Sequence, residues 1–141
     1  MQHSELYRLE YSFLDKIPLI PVRLSGTDNH GKKILTQPLR GVLDSGASDF
    51  TISKAMAEFL HLKLKKIGEG DTAGNKVDLF HTKGDFVIGL GKESIFYENV
   101  KISVLDSDTP ILLGIDPIWY NFVVTIDAYA GKIILEPRKS N

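Results

Sequence analysis

The sequence has no cysteine among its 141 residues. Disulfide frameworks and thiolate metal sites are thereby excluded. A reducing compartment is compatible with this, and a cytoplasmic location is expected. Net charge is almost absent: 17 basic and 18 acidic side chains leave −1. Nucleic-acid binders usually carry a basic patch or excess, so no nucleic-acid partner is expected. No apolar run approaches the roughly 20 residues that span a bilayer, and no membrane partner is expected. The opening residues, MQHSELYRLEYSF, lack the basic-then-apolar order of a secretory signal. The four histidines, His3, His30, His61 and His81, do not repeat a metal-ligand spacing, so neither a metal nor another cofactor is expected. GLGKES at 89–94 fails the phosphate-loop pattern.

What is present is ordinary in amount and uneven in arrangement. Hydrophobic residues make up 43% and charged residues 25%, as in a globular protein with a real core. The length suits a single domain over 1–141. IPLIPVRLSG (17–26) reads as a strand, and its two prolines, which lack a backbone donor, predict an edge or a bulge. GTDNHGKK turns the chain and ILTQPLRGVLD (34–44) returns it as a second strand. TISKAMAEFLHL (51–62) predicts a short helix with Ser53 as N-cap. The next forty residues alternate strand-like runs with turns, and DTAGNK (71–76) marks the tip of a long hairpin. ILLG (111–114) is a strand, IDPIWYN a short helical turn with Pro117 near its start, and FVVTID–AYAG–KIILEP a hairpin. The sum is a mostly β fold with one or two short helices.

One stretch stands apart. RGVLDSGASDF (40–50) ends an apolar strand on Asp44 and follows it with Ser45, Gly46, Ala47 and Ser48. An aspartate before a glycine is commonly a turn residue. Small neighbours at a buried strand end also let a substrate backbone come close, and let the surroundings set the carboxylate's proton affinity. One carboxylate is a poor catalyst of amide hydrolysis; two that share a proton are better. The chain has one D-S-G, so a second Asp44 would come from a two-fold related copy. Asp49 is too near in sequence to face it, and Asp116 and Asp127 read as cap or turn residues. Lys63, Lys65 and Lys66 read as a solvated edge. Trp119 and Tyr120 are expected to pack the helical turn into the core, or to lie at a subunit boundary.

VLDSGAS followed some 65 residues later by ILLGID resembles the retropepsin-like aspartic proteases, single-domain homodimeric relatives of pepsin. The resemblance runs from about Ile17 to Leu135, and its C-terminal part is closer to the cellular and bacterial members than to the retroviral ones. It implies a closed acid-protease barrel. It makes Asp44 the catalytic aspartate, Ser45 the hydroxyl that bonds across the dimer axis, and Gly46 the glycine whose carbonyl reaches substrate. Ala47 continues that loop, and Gly114 permits close packing behind it. By position alone, Asp71, Thr72, Ala73, Gly74 and Asn75 fall on the flap, the hairpin that closes over substrate. Ala47 stands where pepsin-like enzymes usually have a serine that bonds a catalytic carboxylate, which implies activity in the mildly acidic range. Residues 1–13 have no counterpart in the pattern; a dimer strand, a flap cover and a disordered lead are the alternatives. The implied function is an aspartic endopeptidase acting on extended polypeptide. The alternative is a non-catalytic homodimeric peptide-binding or dimerisation domain of the same fold.

Overall fold

A computed structural model describes residues 6–72 and 74–138. The chain first forms β1 (Leu9–Ser12) and β2 (Leu19–Thr27), then β3 (Lys33–Leu35) and β4 (Leu39–Leu43). β5 (Thr51–Ser53) leads into α1 (Lys54–Phe59). The long antiparallel run β6 (Lys65–Thr72), β7 (Asn75–Leu90) and β8 (Glu93–Leu105) follows, then β9 (Ile111–Leu113), a helical turn at Ile115–Trp119, and the hairpin β10 (Phe122–Asp127) and β11 (Lys132–Pro137).

Eight strands lie in the order β3-β2-β4-β9-β5-β8-β7-β6, and a further β2–β7 pairing closes the middle of the series into a barrel. The closure pairs Val22 with Ile88, Arg23 with Val87 and Leu24 with Phe86. All but the two arginine-row partners in this register are fully enclosed, and Phe50 joins them by stacking on Phe86 with ring centroids 3.8 Å apart. Burying a side chain of that size stabilises the fold by about 3 kcal/mol. A second, smaller sheet has the order β1-β11-β10.

Several local expectations change. β2 is an interior strand, paired with β4 on one side and with β7 on the other. Pro21 is tolerated because it pairs with Arg40 on the β4 side and lies just before the residues that meet β7. The return strand is split: Pro38 cannot donate to a ladder, and the chain breaks into β3 and β4 around it. Thr36 bridges the break, its Oγ1 accepting from the Leu24 amide at 2.9 Å. The helix is shorter than 51–62, because 51–53 continue as strand; Ser53 Oγ accepts from the Met56 amide at 3.2 Å and starts α1 there. The N-terminal segment supplies β1, which pairs within the same chain, Leu9 with Leu135 through Ser12 with Lys132.

Candidate active site

β4 ends on Leu43, and Asp44 is the first residue beyond it. β4 runs parallel to β9, pairing Gly41, Val42 and Leu43 with Ile111, Leu112 and Leu113. The Asp44 amide continues that ladder by donating to the Leu113 carbonyl at 3.0 Å. The chain then folds tightly back: the Gly46 amide donates to Asp44 Oδ1 at 2.8 Å, and the Ala47 amide to the Asp44 carbonyl at 3.2 Å. A Cβ on Gly46 would stand 3.1 Å from Asp44 Oδ1, tight against the same oxygen. The side chain of Asp44 is half-buried, while Ser45 and Gly46 are exposed and Ala47 is half-buried.

A second strand end braces the turn from behind. The Ile115 amide donates to the Ala47 carbonyl at 2.8 Å and the Asp116 amide to the Ser48 carbonyl at 3.1 Å. Gly114 sits at the crossing. A Cβ there would lie 2.4 Å from the Ala47 carbonyl oxygen and 2.5 Å from that of Asp49, a collision with backbone on two sides. Trp119 locks the helical turn by donating its indole N–H to the Leu113 carbonyl at 3.2 Å. Trp119 packs against the core as expected, but Tyr120 does not: it is 73% exposed, because it lies on the outward side of the turn.

Asp44 opens onto a cleft of about 730 Å³. The loop residues Gly46, Ala47 and Ser48 line one side, and Ile67, Gly70, Asp71, Leu79 and Phe80 of the β6–β7 hairpin roof it. Leu105 and Leu112 add apolar surface below. Of the residues assigned by position to the hairpin tip, Asp71 lines the cleft, Gly74 and Asn75 are exposed beyond it, and Ala73 lies outside the described residues. Thr72 ends β6 opposite Asn75.

The rival acids go elsewhere. Asp49 lies in the cleft wall with its carboxylate 3.4 Å from Lys101 Nζ and its side chain only 13% exposed. Asp127 accepts from the Ala130 amide at 3.0 Å, as a turn residue does. Asp116 lies within the helical turn, and its charge joins burial in pushing the Tyr97 hydroxyl well above the usual tyrosine range. Among the described residues, no group of three or more His, Asp or Glu converges on a metal-sized space.

Sequence reasoning did not identify the cleft walls. Leu79, Leu105 and Lys101 belong to long strands whose alternation marks one face but not which cavity that face lines. No sequence signal marked them, because the register that sets Leu79 opposite Leu105, His81 opposite Ser103 and Lys83 opposite Lys101 exists only in the folded sheet.

A family model described as aspartyl protease matches residues 20–116. The chain belongs to the aspartyl protease family. Its span takes in both strand ends that build the Asp44 turn. Among solved structures, a retropepsin-like aspartic protease from Rickettsia conorii is similar at 22% identity, with a TM-score of 0.54 over 97% of this chain and 96% of that one. This likeness speaks to the fold, which is retropepsin-like: mostly β, with a closed barrel and two short helical segments. The EIAV protease in complex with the inhibitor HBY-793 is similar at 21% identity over 70% of this chain and 82% of that one, with a TM-score of 0.45. Among curated proteins, none matches. No helix of the described residues is long and apolar enough to cross a membrane.

Proposed function

We propose that this family member is an aspartic endopeptidase in which two copies of the chain each supply Asp44 to one site. The observation that carries the reading is the fixed turn at the mouth of a roofed cleft of about 730 Å³: the Asp44 backbone amide donates to the Leu113 carbonyl, and its half-buried carboxylate accepts from the Gly46 amide. The whole chain serves as one such domain.

In the two-fold arrangement a water lies between the carboxylates. The ionised one takes a proton from that water as its oxygen attacks the scissile carbonyl carbon. The protonated one gives its proton to the carbonyl oxygen, which leaves a tetrahedral diol. The first carboxyl, now protonated, then donates to the amide nitrogen as the C–N bond breaks, and the second takes the diol proton. Charge and protons return to their starting places, and no cofactor takes part.

Ser45, exposed beside Asp44, bonds the partner's turn across the axis in this reading. Gly46 brings its carbonyl to the substrate backbone, and the β6–β7 hairpin, with Asp71 to Asn75 at its tip, closes over an extended peptide. Ile67, Leu79, Phe80, Leu105 and Leu112 favour apolar side chains near the cut. Self-association is supported by β10, which ends the small sheet with Val123 45% and Ile126 43% exposed. An unpaired strand edge with apolar side chains invites a second chain.

The test is cleavage of a mixed peptide library between pH 3 and 8, read by mass spectrometry, beside Asp44→Asn. Cleavage by the native chain in the mildly acidic range and a loss of at least about a hundredfold in the variant are expected. No cleavage by dimeric native protein would leave the peptide-binding or dimerisation reading in its place.

A further inference from the structure

The face of the sheet that lines the cleft does not stop at the cleft. In register, Lys65 pairs with His81, His81 with Ser103, and Lys83 with Lys101. Side chains two residues apart on a strand share a face and lie about 7 Å apart. The row Leu79–Leu105 therefore gives way to Lys65–His81–Ser103, and that row to Lys83–Lys101. His81 and Lys101 line the cleft, and they also line a second recess of about 570 Å³, shared with Leu62, Lys63, Lys65 and Lys83.

This recess concentrates positive charge in a chain whose net charge is −1. Lys83 and Lys101 stand directly opposite each other, an arrangement of like charges that disfavours pairing unless something offsets it. Among the described residues, the ion pairs involve none of Lys63, Lys65 and Lys83, and all three are exposed. Among the described residues, the carboxylate ion-paired with the group is that of Asp49, at 3.4 Å from Lys101, and it comes from the cleft side. By contrast, Lys66 is the neighbour of Lys65 on the alternate face and is paired with Asp78 at 3.3 Å.

We propose that this recess docks acidic side chains of the polypeptide substrate, in the segment flanking the one held in the cleft. The inference rests on the endopeptidase reading and adds to it a preference for substrate. The partner chemistry follows from charge complementarity and from continuity: an extended peptide leaving the cleft past Lys101 meets Lys83, Lys65 and Lys63 next. In a two-fold dimer each end of the joint cleft has one such recess, so glutamate or aspartate is favoured on both sides of the cut. The apolar cleft selects the residues at the bond, and the lysines select their surroundings.

The test uses two peptide series with one scissile segment, flanked by glutamates in one and by glutamines in the other. The native protein is expected to cleave the glutamate series with a kcat/KM about tenfold higher. The preference should shrink at about 0.5 M salt, where exposed charges are screened. The triple variant Lys63→Gln, Lys65→Gln, Lys83→Gln should lose the preference while cleaving the glutamine series as before. Lys66→Gln removes one charge from the other face and should keep it. Equal cleavage of the two series by the native protein overturns the proposal. If neither series is cut, the endopeptidase reading fails by itself. Fluorescence anisotropy of the labelled peptides on the native protein and the triple variant then decides: no preference for the glutamate peptide overturns the docking site. An equally charged single-stranded oligonucleotide that binds more tightly than the glutamate peptide, and is lost in the triple variant, also overturns it and makes the recess a nucleic-acid surface.

Discussion

The floor and the roof of the cleft are built on opposite terms. The Asp44 turn is held by bonds from two stretches of chain: its own Gly46 and Ala47, and the distant run Leu113 to Asp116. It leaves no room for a methyl group at Gly114. The hairpin roof is the outermost part of its sheet, and among the described residues β6 pairs with β7 alone. Its register slips between Lys66 and Gly68, and added Cβ atoms at Gly68 and Gly74 would meet nothing within 4 Å. A reacting carboxylate needs a fixed position, because a small displacement of a catalytic group costs orders of magnitude in rate. A cover over a polymer substrate needs the reverse, since the peptide must enter and leave.

Substitutions at two glycines should separate these regions. Gly114→Ala drives a Cβ into two carbonyl oxygens and is expected to cost about 3 kcal/mol or more of stability, with loss of cleavage. Chemical denaturation would measure the first and the peptide assay the second. A buried body also sets an alkaline limit that the roof does not share. Burial, with the Glu93 charge, pushes the Tyr11 hydroxyl above its ordinary value, and Tyr97 is raised by burial and Asp116. The stability this lends is fully present below about pH 10 and is lost as pH rises above it, because the unfolded chain ionises first. Denaturation at pH 9 and 11 should show the drop, and Tyr11→Phe should reduce it.

Smaller effects are expected in the roof. Gly74 has φ of +83° in open space, so Gly74→Ala should cost about 1 kcal/mol through backbone strain alone. A loss equal to that of Gly114→Ala would erase the distinction between floor and roof. Ile67 is 46% exposed and faces the cleft. Ile67→Ser should change stability by less than about 0.5 kcal/mol. It should lower kcat/KM about fivefold on substrates apolar near the cut. A variant that lost stability but not affinity would place Ile67 in the body instead.

What the sequence made legible was local. The Asp44 turn, the hairpin at 71–76, the C-terminal hairpin and the Ser53 cap each depend on residues a few positions apart, and each leaves a chemical mark. Closure of the barrel does not. The pairing of β2 with β7 joins residues more than sixty apart, and the proline pattern of β2 pointed instead to an edge or a bulge. The same holds for β1 with β11, which meet from opposite ends of the chain. The lysines show the same limit: Lys63, Lys65 and Lys66 are the exposed edge that the sequence suggested, while the recess that Lys63 and Lys65 share with Lys83 and Lys101 depends on pairing between distant strands. The family resemblance supplied the barrel that periodicity could not.

The central claim is that two chains each give one Asp44. Native protein would be mixed with Asp44→Asn in varying proportion, at constant total concentration and after exchange of subunits. If both carboxylates are needed, cleavage should fall as the square of the native fraction, since only native–native dimers act. A linear fall would mean that a single Asp44 suffices, and would contradict the account.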